Sequence, residues 1–123
     1  KLDLSGYQYP NLDLLENSKM AINFSRYNDI PLYSSDRIIQ LLAQGLLVFS
    51  PKIPEFNTLF TEEEVVYFDS FKELNEKINY YNSNDSERIK IAKNGWKRAH
   101  KEYNSTKITA DIVELIFKGK KFV

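Results

Sequence analysis

Short apolar runs alternate with longer segments of helical periodicity along this chain. The runs Met20–Phe24, Leu46–Phe49 and Val65–Phe68 are compact enough for buried strands. Apolar residues recur at helical spacing in the segments 35–44, 70–81, 86–103 and 105–117. Strands that are apolar on both faces and alternate with helices are typical of a parallel sheet covered on both sides. The pattern therefore predicts an α/β domain with a small three-stranded parallel sheet and a helical carboxyl terminus.

Capping residues indicate where these helices begin and end. Ser34 or Ser35 is suited to the N-cap of the first helix, and Gly45 stands at its C′ position. Ser70 and Glu73 have the spacing of a capping box. The helices that follow the first and third strands are therefore expected to start at serines.

Other local features add detail to this prediction. A weakly periodic segment over 11–17 predicts a short helix, and Pro54 suits the first position of another helix that extends to Phe60. Gly95 inside the long helix indicates a close-packing point or a bend, because glycine costs about 1 kcal/mol there relative to alanine. The periodicity of the last helix predicts four buried side chains: Ile108, Ile112, Leu115 and Ile116.

The composition excludes several classes of protein. The 123 residues fit a single domain, and 17 basic residues balance 17 acidic ones, so no overall field favours nucleic acid. Cysteine is absent, which excludes a disulfide framework and a thiolate metal site. The absence of cysteine also suits a reducing compartment, and no apolar run approaches the roughly 20 residues of a transmembrane helix. Because the chain starts at Lys1 and its sheet is narrow, we also expect it to be part of a longer protein.

The loop over 25–35 is where we expect ligand chemistry. In an open α/β sheet, ligands bind beyond the carboxyl ends of the strands, and the helix after this loop presents N–H groups suited to phosphate. Ser34 and Ser35 add hydroxyl donors, and Arg26 and Arg37 add guanidinium groups that pair with phosphate oxygens. A simpler explanation exists for each: the serines cap the helix, and Arg37 is a surface charge or the partner of an aspartate. Neither a Walker loop nor a GxGxxG motif is present.

A basic stripe follows one side of the long helix. It consists of residues spaced i, i+3, i+7 and i+11, namely Lys90, Lys93, Lys97 and Lys101. The stripe is either a peripheral contact for anionic lipid headgroups or a solvated outer face, and the second interpretation is the simpler one. His100 is the only histidine, and without a nucleophile or metal ligand beside it a structural role is expected.

Four segments follow one another in order between Ser18 and about Tyr103. They are SKMAINFS at 18–25, SSDRIIQLLAQGLLVF at 34–49, PEFNTLF at 54–60, and DSFKEL from Asp69 followed by the spacing Arg88…Ala92…Gly95…His100…Tyr103. Together they resemble the carboxyl-terminal domain of retaining GT-B glycosyltransferases (glycosyl transferases group 1), and most closely the bacterial spore-maturation-protein-like branch. The resemblance implies a Rossmann-like three-layer α/β/α domain over 1–123 that forms the carboxyl-terminal half of a GT-B fold.

The same resemblance implies roles for individual residues. Gln40 occupies the place of a family glutamate that hydrogen-bonds the ribose hydroxyls, and Leu32 stands near a second acidic position that has no counterpart here. Arg37 matches a family arginine that stabilises the diphosphate, and Glu55 matches a glutamate at the end of the sheet. Arg26, Ser34 and Ser35 would lie against the diphosphate. The expected donor is a UDP- or GDP-sugar, with no metal and no other cofactor.

The implied partners are the nucleotide-sugar donor and an amino-terminal, acceptor-binding domain of the same enzyme. The complete enzyme would transfer a sugar to a glycan, lipid or protein with retention of configuration, whereas this chain alone would be inactive. It would work in the cytoplasm, with a peripheral contact on the inner face of the membrane. Because Gln40 lacks the charge of the family's glutamate, the alternative is a degenerate, non-catalytic α/β module for protein interaction or scaffolding. A flavodoxin-like or receiver-like domain is disfavoured, because no strand ends in an acidic cluster.

Overall fold

A computed structural model describes residues 17–119 of the chain. Three parallel strands form its sheet in the order β1-β2-β3, so β2 is the central strand. The strands are β1 Met20–Ile22, β2 Leu47–Pro51 and β3 Val66–Phe68. All three predicted strands are therefore present. β1 ends two residues earlier than predicted, although the Asn23 N–H still donates to the Phe49 carbonyl at 2.8 Å and prolongs the ladder.

Within residues 17–119 there are four helices, three packed against the sheet and the last packed against the third. They are α1 Asp36–Ala43, α2 Phe71–Ser83, α3 Asp85–Glu102 and α4 Ser105–Lys118. On one face of the sheet, Ile38 and Leu42 of α1 pack with Val48 of β2, and on the other face Leu74 of α2 packs with Phe49. The small parallel sheet with helices on both faces confirms the Rossmann-like α/β prediction.

The long helix α3 passes along the amino-terminal edge of the sheet and reaches both faces. Ala92 belongs to the cluster on the α2 face and Ala99 to the cluster on the α1 face. Between them, a Cβ added to Gly95 would lie 2.8 Å from the backbone oxygen of Glu64, just before β3, and 2.6 Å from Cδ2 of Leu42. Gly95 is therefore a close-packing point, as predicted, and α3 continues through it as one helix.

The predicted caps are largely in place. The Ser70 hydroxyl accepts from the Glu73 N–H at 3.2 Å, and the Glu73 carboxylate accepts from the N–H of Asp69 at 2.7 Å, one residue before the usual partner. Gly45 follows α1 with φ at +78°, a left-handed conformation that glycine adopts readily. Ser35 occupies the N-cap of α1, but its hydroxyl makes no capping hydrogen bond. The position was predicted correctly and the bond was not.

Two predictions about helices are wrong, and one lies outside the described residues. The segment from Pro54 forms a turn and a 3₁₀ helix over Phe56–Thr58 only, because Glu55 adopts a left-handed conformation with φ at +61° that no α-helix accommodates. None of the residues of α4 is buried: the helix packs mainly against α3 and has no sheet face to cover. Its apolar residues Ile108, Ile112, Leu115 and Ile116 are exposed to between 38% and 66%. The predicted helix at 11–17 falls almost entirely outside the described residues.

Candidate functional site

The loop after β1 is fastened at the carboxyl-terminal edge of the sheet. The Asn28 side chain donates to the Ser25 carbonyl at 2.9 Å and accepts from the Ser25 N–H at 3.3 Å, which closes a local turn. Further along, the N–H of Leu32 donates to the Pro54 carbonyl at 3.0 Å. The loops that follow β1 and β2 are therefore joined, and they form one wall at the edge where α/β folds bind ligands.

Three polar side chains at this edge are buried with no hydrogen-bond partner among the described residues. Both amide atoms of Asn23, which is fully buried, are unbonded, and so are the hydroxyls of Ser25 and Ser35. Phe24 stacks on Phe71 of α2. Because side chains alternate along a strand and the ladder extends to Asn23, Asn23 lies on the α1 face, the side where Ser35 begins that helix. An unpaired buried polar group costs about 1–3 kcal/mol, so these atoms offer hydrogen bonds to a bound molecule.

Arg37 reaches the same edge from the first turn of α1. Its Nη1 donates to the carbonyl of Phe24 at 3.0 Å. This partner is a neutral carbonyl rather than an aspartate, so no carboxylate balances the guanidinium in this contact and its other N–H donors remain for a ligand. The neighbouring Ser34 hydroxyl donates to the Ser35 carbonyl at 3.3 Å. The structure thus places Ser34, Ser35 and Arg37 together where β1 ends and α1 begins.

The other residues expected to contact a ligand lie further out. Gln40 is exposed on α1, and its Nε2 donates to the Asp36 carboxylate at 3.2 Å. Glu55 is exposed beside Pro54, and its side chain does not cap the 3₁₀ helix. The guanidinium of Arg26 lies over the ring of Tyr27, 5.5 Å from its centroid. Among the described residues, Arg26 therefore contacts Tyr27 and makes no hydrogen bond to Ser34 or Ser35.

Backbone strain is concentrated where the two loops meet. Leu32 and Glu55 are the only described non-glycine residues with positive φ, at 59° and 61°. They flank the hydrogen bond that joins Leu32 to Pro54. Left-handed conformations cost side-chain-bearing residues about 1–2 kcal/mol each, and such strain clusters at functional sites. This strain is a second, independent feature of the same edge.

The sequence analysis missed two features of this edge. Asn23 was included in an apolar strand, although a polar residue on the inner face of a strand is itself a signal. Lys52 and Asp69 follow β2 and β3 and form an ion pair. The hydrogen bond from Lys52 to the Asp69 carboxylate raises the pKa of the lysine. Lys52 directly follows β2 and Asp69 directly follows β3, and adjacent parallel strands bring such positions together.

The family of the chain emerges from comparison with known proteins. A family model described as glycosyl transferase-like matches residues 3–114. The chain belongs to this glycosyl transferase-like family. Comparison with curated proteins and with solved structures gives no match. Membership supports a role in glycosyl transfer.

The described residues also bear on a membrane-spanning helix and on a metal site. Within residues 17–119, no helix combines the length and the apolar character needed to cross a membrane. Over the same range, no group of three or more His, Asp or Glu side chains is arranged to hold a metal ion.

Proposed function

We propose that this chain is the donor-binding domain of a retaining glycosyltransferase and holds a nucleotide-diphosphate sugar where β1 ends and α1 begins. The observation that carries the proposal is the set of buried, unpaired polar groups of Asn23, Ser25 and Ser35. A diphosphate and its sugar are rich in hydrogen-bonding groups, and they would satisfy these side chains where water is largely excluded. Membership of the glycosyl transferase-like family supports the same conclusion.

The diphosphate would lie against the first turn of α1. Backbone N–H groups at a helix amino terminus and their partial positive charge favour phosphate oxygens. Arg37 has donors left after its bond to Phe24, and Ser34 and Ser35 supply hydroxyls beside it. When the bond between the sugar and the diphosphate breaks, negative charge grows on the leaving phosphate. Fixed donors aimed at that charge lower the barrier to the transfer.

The nucleoside would extend along α1 towards Gln40. The amide nitrogen of Gln40 is already bonded to Asp36, which leaves its carbonyl oxygen to accept from a ribose hydroxyl. Glu55 would close the other side of the site from the joined loop, and Arg26 would reach the phosphates once it leaves the ring of Tyr27. A UDP- or GDP-sugar fits these groups, and the contacts proposed here involve no metal.

The acceptor would enter from an amino-terminal domain of the complete enzyme. Transfer forms a bond between an acceptor oxygen and the anomeric carbon while the donor releases its nucleoside diphosphate. The acceptor is a glycan, lipid or protein hydroxyl, and the enzyme acts in the cytoplasm. This chain by itself would bind the donor weakly and transfer no sugar.

Isothermal titration calorimetry of the full-length protein with UDP, GDP and their sugars tests the proposal. Arg37→Gln keeps a donor for the Phe24 carbonyl but removes the charge. Because charge-assisted hydrogen bonds contribute about 1.5–3 kcal/mol, we expect affinity to fall roughly 10- to 100-fold. Lys97→Gln removes an exposed charge at the opposite edge of the sheet and should leave affinity unchanged. The proposal is wrong if no nucleotide diphosphate binds, or if the two variants weaken binding equally.

A second substitution tests the position assigned to the ribose. Gln40→Glu introduces the negative charge that the glycosyltransferases resembled by this chain carry at that position. A carboxylate accepts more strongly than an amide from ribose hydroxyls, so we expect tighter binding of the nucleotide. Unchanged affinity would place the ribose elsewhere, without affecting the result for Arg37.

A further inference from the structure

The outward side of α3 forms a surface that the proposed donor site does not involve. Successive residues of a helix turn by about 100°, so the lysine stripe lies opposite the side on which Arg88, Ala92, Gly95 and Ala99 are buried. The four lysines are exposed, and the stripe extends over about 16 Å. Within the described residues, Lys90, Lys93 and Lys97 have no carboxylate partner. The total charge of the chain is zero. Glu63, Glu64 and Glu102 lie beside Lys97 and Lys101, so an anionic partner would be attracted mainly by Lys90 and Lys93.

Two large apolar side chains flank the amino-terminal half of this stripe. Ile89 is 56% exposed and Trp96 is 44% exposed. The indole is held in place: its ring lies 4.4 Å from the ring of His100, and on another side it meets Gly45, where an added Cβ would be 3.9 Å away. A nitrogen of His100 is 3.2 Å from the Ala43 carbonyl, which fixes the imidazole in turn. The histidine therefore has the structural role expected of it, and it presents tryptophan to solvent.

A shallow cavity of about 420 Å³ lies between Trp96 and the residues that lead into β1. Two lysines, Lys19 and Lys93, are among the residues that line it, together with Ile89 and Trp96. None of the described residues that line it is a carboxylate, and the guanidinium of Arg88 is already paired with Asp85. The cavity thus combines free positive charge with an aromatic and an aliphatic wall.

We propose that this surface binds the phosphate-bearing headgroups of an anionic membrane, with Trp96 and Ile89 entering the interface. Cationic side chains attract anionic lipid, and each is worth about a fivefold gain in binding. Tryptophan prefers the boundary between headgroups and acyl chains, and the neighbouring isoleucine adds apolar area. One straight row of lysines with apolar side chains along its flank fits a planar interface. A nucleic-acid strand would instead favour several aromatic rings for its bases.

The geometry has a consequence for the orientation of the domain. Gly45, Lys19 and Trp96 lie at the amino-terminal edge of the sheet, whereas Asn23 and Arg37 lie at the carboxyl-terminal edge. A membrane held at the first edge leaves the second edge open. The membrane surface is therefore independent of the proposed donor site, and either can fail without the other.

Trp96 is the single tryptophan of this chain, so tryptophan fluorescence, together with co-sedimentation, tests the proposal. The full-length protein is used if it contains no other tryptophan, and this chain alone is used otherwise. Vesicles with equal parts of phosphatidylglycerol and phosphatidylcholine should shift the emission to shorter wavelength and sediment the protein. Pure phosphatidylcholine vesicles and inorganic phosphate should do neither. Binding should weaken as salt is raised, because exposed charges are screened.

Variants that remove lysine charges assign the effect to this face. Lys90→Gln with Lys93→Gln should weaken binding to the anionic vesicles about 25-fold, from two factors of about five. Lys72→Gln removes an exposed lysine at the other edge of the sheet and should have no effect. The proposal is overturned if anionic vesicles leave the emission unchanged, if neutral vesicles bind equally well, or if Lys72→Gln weakens binding as much as the double variant. It is also overturned if an oligonucleotide binds through the same lysines and vesicles do not.

Discussion

Gly95 marks the place where α3 lies closest to the rest of the domain. The Cβ of an alanine there would be 2.6 Å from Cδ2 of Leu42 and 2.8 Å from the backbone oxygen of Glu64. Both distances are far shorter than van der Waals contact. Leu42 is fully buried, and the Glu64 carbonyl belongs to the turn that leads into β3. Gly95→Ala therefore requires α3 to move outward or the turn to shift.

Opposing terms determine the size of the effect. Overpacking a well-packed core costs about 1–3 kcal/mol, while alanine regains about 1 kcal/mol of helix propensity. One of the two clashes is with a backbone atom, which places the overpacking cost in the upper part of its range, at about 2–3 kcal/mol. We therefore expect Gly95→Ala to lower the free energy of unfolding by about 1–2 kcal/mol, measured by urea denaturation with circular dichroism. Lys97→Ala, on the exposed side of the same helix, should change it by less than about 0.5 kcal/mol.

A double variant identifies the atom that obstructs the methyl group. Leu42→Ala removes Cδ2, so adding Gly95→Ala to it should cost less than Gly95→Ala costs in the wild type, with a coupling of about 0.5–3 kcal/mol. Strict additivity would assign the clash to the Glu64 carbonyl instead. If Gly95→Ala leaves the protein as stable as the wild type, the close approach of α3 inferred here is refuted.

Two further predictions concern stability. Tyr67→Phe should lower the free energy of unfolding by about 1–3 kcal/mol, because the Tyr67 hydroxyl donates to the buried carbonyl of Phe60 at 2.6 Å. The Tyr103 hydroxyl is 3.4 Å from its acceptor, so Tyr103→Phe should cost less in the same denaturation assay. Equal costs would contradict this account. The hydrogen bond from Lys77 lowers the pKa of Glu73 below its ordinary value of 4.5. The resulting stabilisation is present above that pH and is lost as pH falls through the lowered pKa, so the melting temperature of the wild type should exceed that of Glu73→Gln at neutral pH and approach it in acid. A difference that persists in acid would argue against this pair.

The elements of this fold follow from neighbours along the chain. The apolar runs that became β1 to β3 and the caps at Ser70 and Gly45 depend on residues within about one turn or one strand. Their physical causes, namely side-chain burial and satisfaction of helix-end groups, are local. The one local failure, the turn at Glu55, comes from a left-handed conformation that an ordinary side chain does not announce.

Only part of the candidate site could be predicted from neighbours along the chain. Ser34, Ser35 and Arg37 were expected at the edge because they lie between a strand and a helix, where ligands bind in such sheets. The buried, unpaired state of Asn23 depends on which face of β1 meets α1. The ion pair of Lys52 with Asp69 depends on β2 and β3 being adjacent and parallel. These facts join residues far apart in the chain.

The apolar face of the last helix and the lysine stripe of α3 show the same division between what the sequence determines and what the tertiary structure decides. Periodicity alone determined that both are helices with one distinctive side. Whether that side is buried depends on what lies opposite, and only the tertiary structure decides this. Ile116 stays exposed because the sheet is already covered by α1, α2 and α3, whereas Trp96 gained a fixed, exposed position because α3 crosses the amino-terminal edge beside Gly45. Local spacing encodes a helix and its faces, but burial is a property of surfaces that meet through the whole chain.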